Sequence, residues 1–398
     1  MKKQILLIGM TLIGVTAVHA GETVLSEAFQ KETQAAVAKG LAWLASNQKA
    51  EGYWSDAKNP AMTALPLWAY AGAGGTQYTG QMDKAVSFIL SNAQPDGGIY
   101  TPDPRRGGAG LGNYNTSLCI MALHATGRKD VTRVIQRGRD YTATTQLTGD
   151  DEHAGGFGYD KGGRRHTDLT NTGMAIDAMR RTQNVEDLRP AGEKRADLNW
   201  DAAQKYVLNM QQKEGEDKGG FLYVKSFGPA PAMGGKGDGK TPAFAGGQGG
   251  PRPDGQQGGP GKDQRGRPPL RSYGSITYVG LLSMMHTQLA RNDPRVISAF
   301  DYCTKHWTLD ENPGQGGQGI YFYYNILTRA LAAANIDAIP QPSGGSLAWR
   351  EALIRKVISL QKPDGSWVNE NNRWWENDPV LVTAYSLLAL EFASGITR

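Results

Sequence analysis

Cysteine is almost absent from this chain, with two residues in 398. Two thiols cannot build a disulfide framework or a four-thiolate metal site. Long apolar runs are also scarce. The clearest, residues 5–18, is shorter than the roughly 20 residues a helix needs to cross a bilayer. A basic folded face is missing as well. The formal net charge is +5, yet residues 1–20 hold two lysines and no acid, and Gly228–Arg271 holds seven basic residues against three acids. What remains is close to neutral, which excludes the basic surface that a nucleic-acid partner requires. Glycine, by contrast, is in excess at 52 residues, but no Gly-X-Y period runs through the chain, so collagen is excluded. An apolar fraction of 39% with nine tryptophans supplies a real core.

Two segments stand apart from that core. Residues 1–20 read as a signal peptide: Lys2 and Lys3, then the apolar run, then Val18-His19-Ala20 as a small-x-small cleavage site. Cleavage after Ala20 predicts a secreted or periplasmic mature chain, residues 21–398, with no membrane span. The second segment, 228–271, is low in complexity; residues 228–269 contain 14 glycines and eight prolines. It cannot bury enough apolar surface to fold and is expected to be a disordered or extended spacer or lid. Its basic character suggests weak contact with anionic surfaces or polysaccharide.

The rest of the chain repeats itself. Gln48, Gly52 and Trp54 recur as Gln361, Gly365 and Trp367, and as Gln94, Gly98 and Tyr100 with tyrosine in place of tryptophan. Looser copies run from Gln212 to Phe221 and through Gly155-Gly-Phe-Gly-Tyr159. Amphipathic helical patterns precede these turns at 32–47, 82–93, 131–145, 199–212, 295–307 and 347–361. Helical stretches that are apolar nearly all round alternate with them, at 61–72, 114–126, 168–181, 273–289, 321–334 and 379–393. A helix apolar on every side is buried and an amphipathic one faces water. Six buried helices inside six amphipathic ones predict an all-α fold, one α/α-toroid domain of six helix pairs with an inner and an outer ring. In such a ring Cys119, on the second pair, and Cys303, on the fifth, lie too far apart for a disulfide. Both are expected to be free, buried thiols.

Gln-x3-Gly-x-Trp following Lys39-Gly40-x-x-Trp43-Leu44 resembles the repeat of the terpene cyclases and protein prenyltransferases, over about residues 30 to 395. Within that superfamily the chain is similar to the exported bacterial single-toroid members, through Asp168-Leu-Thr-Asn171-Thr172, Arg271-Ser-Tyr273-Gly274-Ser-Ile-Thr277 and residues 313–325. The resemblance implies the α/α toroid and a central cavity. It does not bring an intact catalytic motif. Class II cyclases protonate an alkene with an aspartic acid in an Asp-x-Asp-Asp-Thr motif. Here the first aspartate matches as Asp168, while Thr170 and Asn171 stand at the other two acids. Asp168 therefore reads as a helix cap or, alternatively, as a catalytic carboxylate. The prenyltransferase zinc pattern is half present as Asp301-Tyr302-Cys303, but Tyr321–Asn325 lacks the histidine, and adding His306 would put three ligands on one short helix. No metal and no cofactor is expected.

Three functions follow as expectations. One is an enzyme or degenerate enzyme that takes a hydrophobic, isoprenoid-like ligand in an aromatic cavity. Candidate ligand contacts are Trp68, Tyr114, Tyr273, Tyr321, Tyr323, Tyr324, Trp374 and Trp375, since aromatic faces bind isoprenoid chains, cations and sugars. Four consecutive aromatics at 321–324 cannot all point one way on a helix, so at least one should face the cavity. The alternative is a non-catalytic binding or scaffold protein that engages an envelope component. The third is a glycan-active toroid enzyme using two of the acids Asp150, Asp151, Glu152, Asp168, Glu376 and Asp378 as a flanking pair.

Overall fold

The computed structural model describes residues 26–103, 110–160, 166–225, 270–341 and 344–395. The stretch expected to be a signal peptide, and the Gly/Pro-rich segment apart from its last two residues, lie outside them. Twelve α-helices are present among the described residues: α1 (Glu27–Asn47), α2 (Ala61–Ala73), α3 (Thr79–Ser91), α4 (Gly112–Ala125), α5 (Thr132–Thr145), α6 (Leu169–Arg181), α7 (Trp200–Asn209), α8 (Gly274–His286), α9 (Pro294–Lys305), α10 (Ile320–Ala333), α11 (Trp349–Ser359) and α12 (Pro379–Ser394). A two-residue hairpin pairs Ile339–Pro340 with Ser346–Leu347. No described helix is long and apolar enough to cross a membrane.

The even-numbered helices form the inner ring. They are rich in Ala, Leu, Val and small polar residues, and nearly every side chain is buried, as in α4 and α12. Each packs on the next in the order α2, α4, α6, α8, α10, α12, and α12 returns to α2. The odd-numbered helices bury one stripe against this ring and show water the other, as their sequence pattern requires. α1 packs on both α2 and α12, so the first and last pairs close the circle and no polar end cap is needed.

The repeat motif is the joint between neighbouring pairs. Gly52, Gly97, Gly155, Gly219 and Gly365 all adopt φ between +86° and +96°, a left-handed conformation that a Cβ disfavours. Each presses on the next outer helix, where an added Cβ would overlap the carbonyl of Lys84, Arg137, Ala202, Ser298 or Lys39 in turn. Two residues later, the backbone N–H of Trp54, Ile99, Phe157, Phe221 or Trp367 donates to a threonine on the inner helix: Thr63, Thr116, Thr172, Thr277 or Thr383, at 2.8–3.3 Å. The glutamine amides of Gln48, Gln146, Gln211 and Gln361 donate to their own glycine's carbonyl and to the first half of the following outer helix or its cap. Gln361 reaches Ala36 at 2.9 Å, joining the end of the chain to its beginning.

This geometry corrects the register read from sequence in two pairs. In the second pair the left-handed glycine is Gly97 and the buried side chain is Ile99, one residue before Gly98 and Tyr100; Ala93 stands at the glutamine position. Gln94 instead donates to Asn92 and Tyr100 within its own turn. In the fourth pair the bridging amide belongs to Gln211 and not to Gln212. The fifth pair departs altogether: its loop carries Asn312, whose amide oxygen caps α8 through the N–H of Ser275 at 2.9 Å.

Cys119 on α4 and Cys303 on α9 are both buried and unpaired. Burial pushes the Cys303 thiol up to about 12 and Cys119 also upward, so neither is a thiolate near neutral pH. Asp301 is exposed on the outer side of α9 while Cys303 faces inward, so the two do not converge on a common point.

Candidate functional site at the two ends of the inner ring

All six inner helices run in the same direction, because each is entered from its outer partner at the same end. Their N-termini therefore gather at one mouth and their C-termini at the other end. Six parallel helix dipoles favour acids at the first and cations at the second. Asp168, Glu376 and Asp378 lie at the first and Arg181 ends α6 at the second, while the buried Glu391 in the last turn of α12 runs against the trend.

At the N-terminal mouth the free backbone donors are taken by side chains. Asp168 is the N-cap of α6, fully buried, accepting from the N–H of Asn171 at 2.8 Å and from its Nδ2 at 2.7 Å. Asp378 caps α12 in the same way through Val380 and Leu381. Glu376 caps α10 from another segment, accepting from Phe322 at 2.8 Å and Tyr321 at 3.3 Å, with Asn369 Nδ2 at 2.8 Å. Burial raises the Asp168 carboxyl above the usual carboxylate range, against the pull of Asn171's two N–H groups. It pushes Glu376 up to about 7, where its hydrogen-bond donors oppose it in the same way.

A chain of phenols spans the mouth between these two acids. Tyr223 and Tyr273, before α8, and Tyr159, before α6, lie within electrostatic reach of Asp168, and the Tyr159 and Tyr223 hydroxyl oxygens are 3.3 Å apart. Tyr114 of α4 shares a hydrogen bond with Tyr385 of α12, although α2 stands between their helices. Tyr385 lies near Glu376 and packs at 5.8 Å, ring tilted, against Phe322, which is only half-buried. Burial holds all of these phenols above their ordinary range, so they are neutral donors and acceptors. The turn that carries Glu376 also holds Trp374 and Trp375, both at positive φ, and Arg373 beside Tyr273. Trp374 lies against Gly319 at the start of α10.

Deeper in the ring, side chains meet across the axis. Asp177 of α6 contacts Arg329 of α10, Arg181 at 2.8 Å and His286 of α8 at 2.9 Å. Arg329 and Arg181 sit 5.0 and 5.5 Å from the ring of Trp68 on α2, and Arg181 is 5.1 Å from Phe392 on α12. None of these pairs joins adjacent inner helices except Asp177–His286, so the side chains close the centre of the ring. Asp177 is 1% exposed and Arg329 2%. Burial beside two arginines lowers His286 to about 3, which leaves it neutral and donating Nε2–H to Asp177. Arg181 and Arg329 fall to about 10 by burial and remain charged.

The sequence-derived candidates separate on this framework. Asp168, Tyr114, Tyr273 and Tyr321 stand at the mouth, with Trp374 and Trp375 half-buried in its turn, and Trp68 forms part of the floor. Tyr323 and Tyr324 do not face the axis. They are fully buried and donate outward, to the carbonyls of Thr308 and Leu309, because the fifth pair lacks the threonine that fills this space elsewhere. The aromatics of that block at the mouth are Tyr321 and Phe322, beside Glu376. Asp150, Asp151 and Glu152 are exposed. Sequence reasoning passed over Tyr159 and Tyr223, although both end a Gly-Gly-Phe-x-Tyr string, at 155–159 and 219–223. It also passed over Asp177, Arg181 and Arg329, charged residues inside otherwise apolar helices.

No protein-family model and no curated protein matches the sequence. Solved structures do match in shape. A single-residue variant of the type II terpene cyclase MstE from Scytonema, in complex with its substrate geranylgeranyl dihydroxybenzoate, superposes with a TM-score of 0.53 at 11% identity, over 94% of this chain and 100% of that one. An inactive variant of the α-1,6-mannanase GH76A from a Salegentibacter species, in complex with α-1,6-mannotriose, gives 0.56 at 10% identity, over 92% and 99%. At this identity the likeness is one of fold, and fold does not carry activity with it. The chain is an α/α toroid, with the architecture found in type II terpene cyclases and in α-1,6-mannanases.

Proposed function

We propose that this chain is an exported protein that binds a hydrophobic, isoprenoid-like molecule in the tyrosine-lined mouth of the ring. The observation that carries the reading is the closure of the axis by Asp177, Arg181, Arg329, Trp68 and Phe392. With the far end blocked, a ligand enters from the N-terminal mouth, which is ringed by aromatic side chains from five of the six pairs. Such a blind, largely apolar site with a few convergent polar groups is the usual form of a small-molecule site. Shared fold with a cyclase whose bound molecule carries a geranylgeranyl chain agrees with this reading.

Binding, and not cyclisation through the matched motif, is what the residues support. Thr170 stands where that motif places its proton donor, and a hydroxyl is far too weak an acid for the step. Asp168 is the one acid of the motif left. Its hydrogen bonds to Asn171 serve the start of α6 whether or not it also meets a ligand.

Expression of the full chain with its leader tests this directly. The exported protein should have the intact mass of a chain beginning at Gly21, and its organic extract should contain an isoprenoid in near-stoichiometric amount. Retention of residues 1–20 would remove the export assignment. An empty protein that also takes up no added geranylgeraniol would remove the ligand assignment.

A further inference from the structure

Among the described residues Asp168 has no lysine or arginine beside it. It is fully buried. The nearby titratable groups are the phenols of Tyr159, Tyr223 and Tyr273 and the imidazole of His166, which is exposed; Arg373 faces Tyr273. A buried carboxyl without a cation is costly to keep ionised, and a structural helix cap does not need the charge, since asparagine caps equally well. A second observation lies beside it. Asn171 is fully buried, its Nδ2 donates to Asp168 at 2.7 Å, and its Oδ1 has no hydrogen-bond partner.

The surroundings of Asp168 are therefore rich in acceptors: two carboxyl oxygens, an orphaned amide oxygen and three phenol oxygens set on aromatic rings. An ammonium group is the complement of that set. It brings three N–H donors and a positive charge, and aromatic rings favour a cation further. A carboxylate or phosphate head could accept from the phenol hydroxyls but would face the Asp168 carboxyl oxygens and Asn171 Oδ1, which offer it no donor.

We propose that the mouth recognises its ligand by a protonated amine, held by Asp168, Asn171 Oδ1 and the surrounding phenols, with the apolar part of the molecule in the aromatic ring. This rests on the hydrophobic-ligand reading above and specifies the head group.

Calorimetric titration of the full chain with geranylgeranylamine and with geranylgeraniol, both below their aggregation concentrations, tests it. The two probes share a tail, so the ratio of their affinities reports the head group. The amine should bind at least tenfold tighter at pH 7.5, and the ratio should shrink as pH falls and Asp168 takes up a proton. In Asp168→Asn, which keeps the helix cap, the ratio should fall to about one. Equal affinities in the wild type would overturn the amine while leaving a hydrophobic ligand in place. A preference that persists undiminished in Asp168→Asn, or at low pH if that variant does not fold, would overturn it too. Failure of both probes to bind would overturn both readings.

Discussion

Replacing Asp177 with asparagine is expected to cost the fold about 3–5 kcal/mol, the usual penalty for removing one partner of a buried ion pair. Asp177 is the carboxylate that faces Arg329, Arg181 and His286 together in the centre of the ring. Asparagine keeps its shape, so no cavity confuses the result. Two guanidiniums would then face each other across Trp68 without a carboxylate, one of them, Arg329, fully buried. Urea unfolding monitored by circular dichroism measures the loss. The companion variant Asp177→Asn with Arg329→Met should recover much of it, because exchanging buried ions for apolar groups of similar size is often near neutral. A loss below about 1 kcal/mol in the single variant would mean that water reaches this level and that the ring is open.

The second large effect belongs to the repeat joint. Gly219→Ala should destabilise the protein by about 2–5 kcal/mol, summing left-handed strain of roughly 1–2 kcal/mol and overpacking of about 1–3 kcal/mol. Its φ is +89°, and the new Cβ would overlap the Ser298 carbonyl in α9. Gly192→Ala is the control. Gly192 has nearly the same φ, +88°, with nothing within 4 Å of its would-be Cβ. It should lose only the strain. Equal losses in the two variants would show that the glycine sets a turn but does not let the next helix approach.

These joints also mark what was legible in the sequence. Helix periodicity placed all twelve helices and their layers, because a helix apolar on every side has only one place to go. Of the two strongest motif copies, the one at Gln361 falls at the seam that closes the ring and the one at Gln48 joins the first pair to the second. The second pair was misread by one residue because Gly97 and Gly98 are adjacent and only backbone conformation tells which is left-handed. The threonine latch was invisible for a different reason. Thr63 follows its tryptophan by nine residues and Thr277 follows Phe221 by 56, so no fixed period exists to detect.

The site was legible only in part. Asp168 and its capping role follow from its position before α6, and the aromatics were expected on the inner helices. Their directions were not, because Tyr321–Tyr324 look alike as residue types and only the missing threonine of the fifth pair turns Tyr323 and Tyr324 outward. The floor escaped notice because Asp177, Arg181 and Arg329 come from non-adjacent helices. Their meeting depends on the diameter of the closed ring, which the sequence does not state.

Calorimetric titration of geranylgeraniol into the wild type, Phe322→Arg and Leu188→Arg tests the central claim most directly. Phe322 is half-buried beside Tyr385 in the mouth, whereas Leu188 is 65% exposed on a surface 3-10 turn. A ligand held in the mouth predicts one site per chain and a negative heat-capacity change from apolar burial. It also predicts at least a tenfold loss of affinity in Phe322→Arg and none in Leu188→Arg. No measurable binding to the wild type, or binding that Phe322→Arg leaves intact, would contradict it.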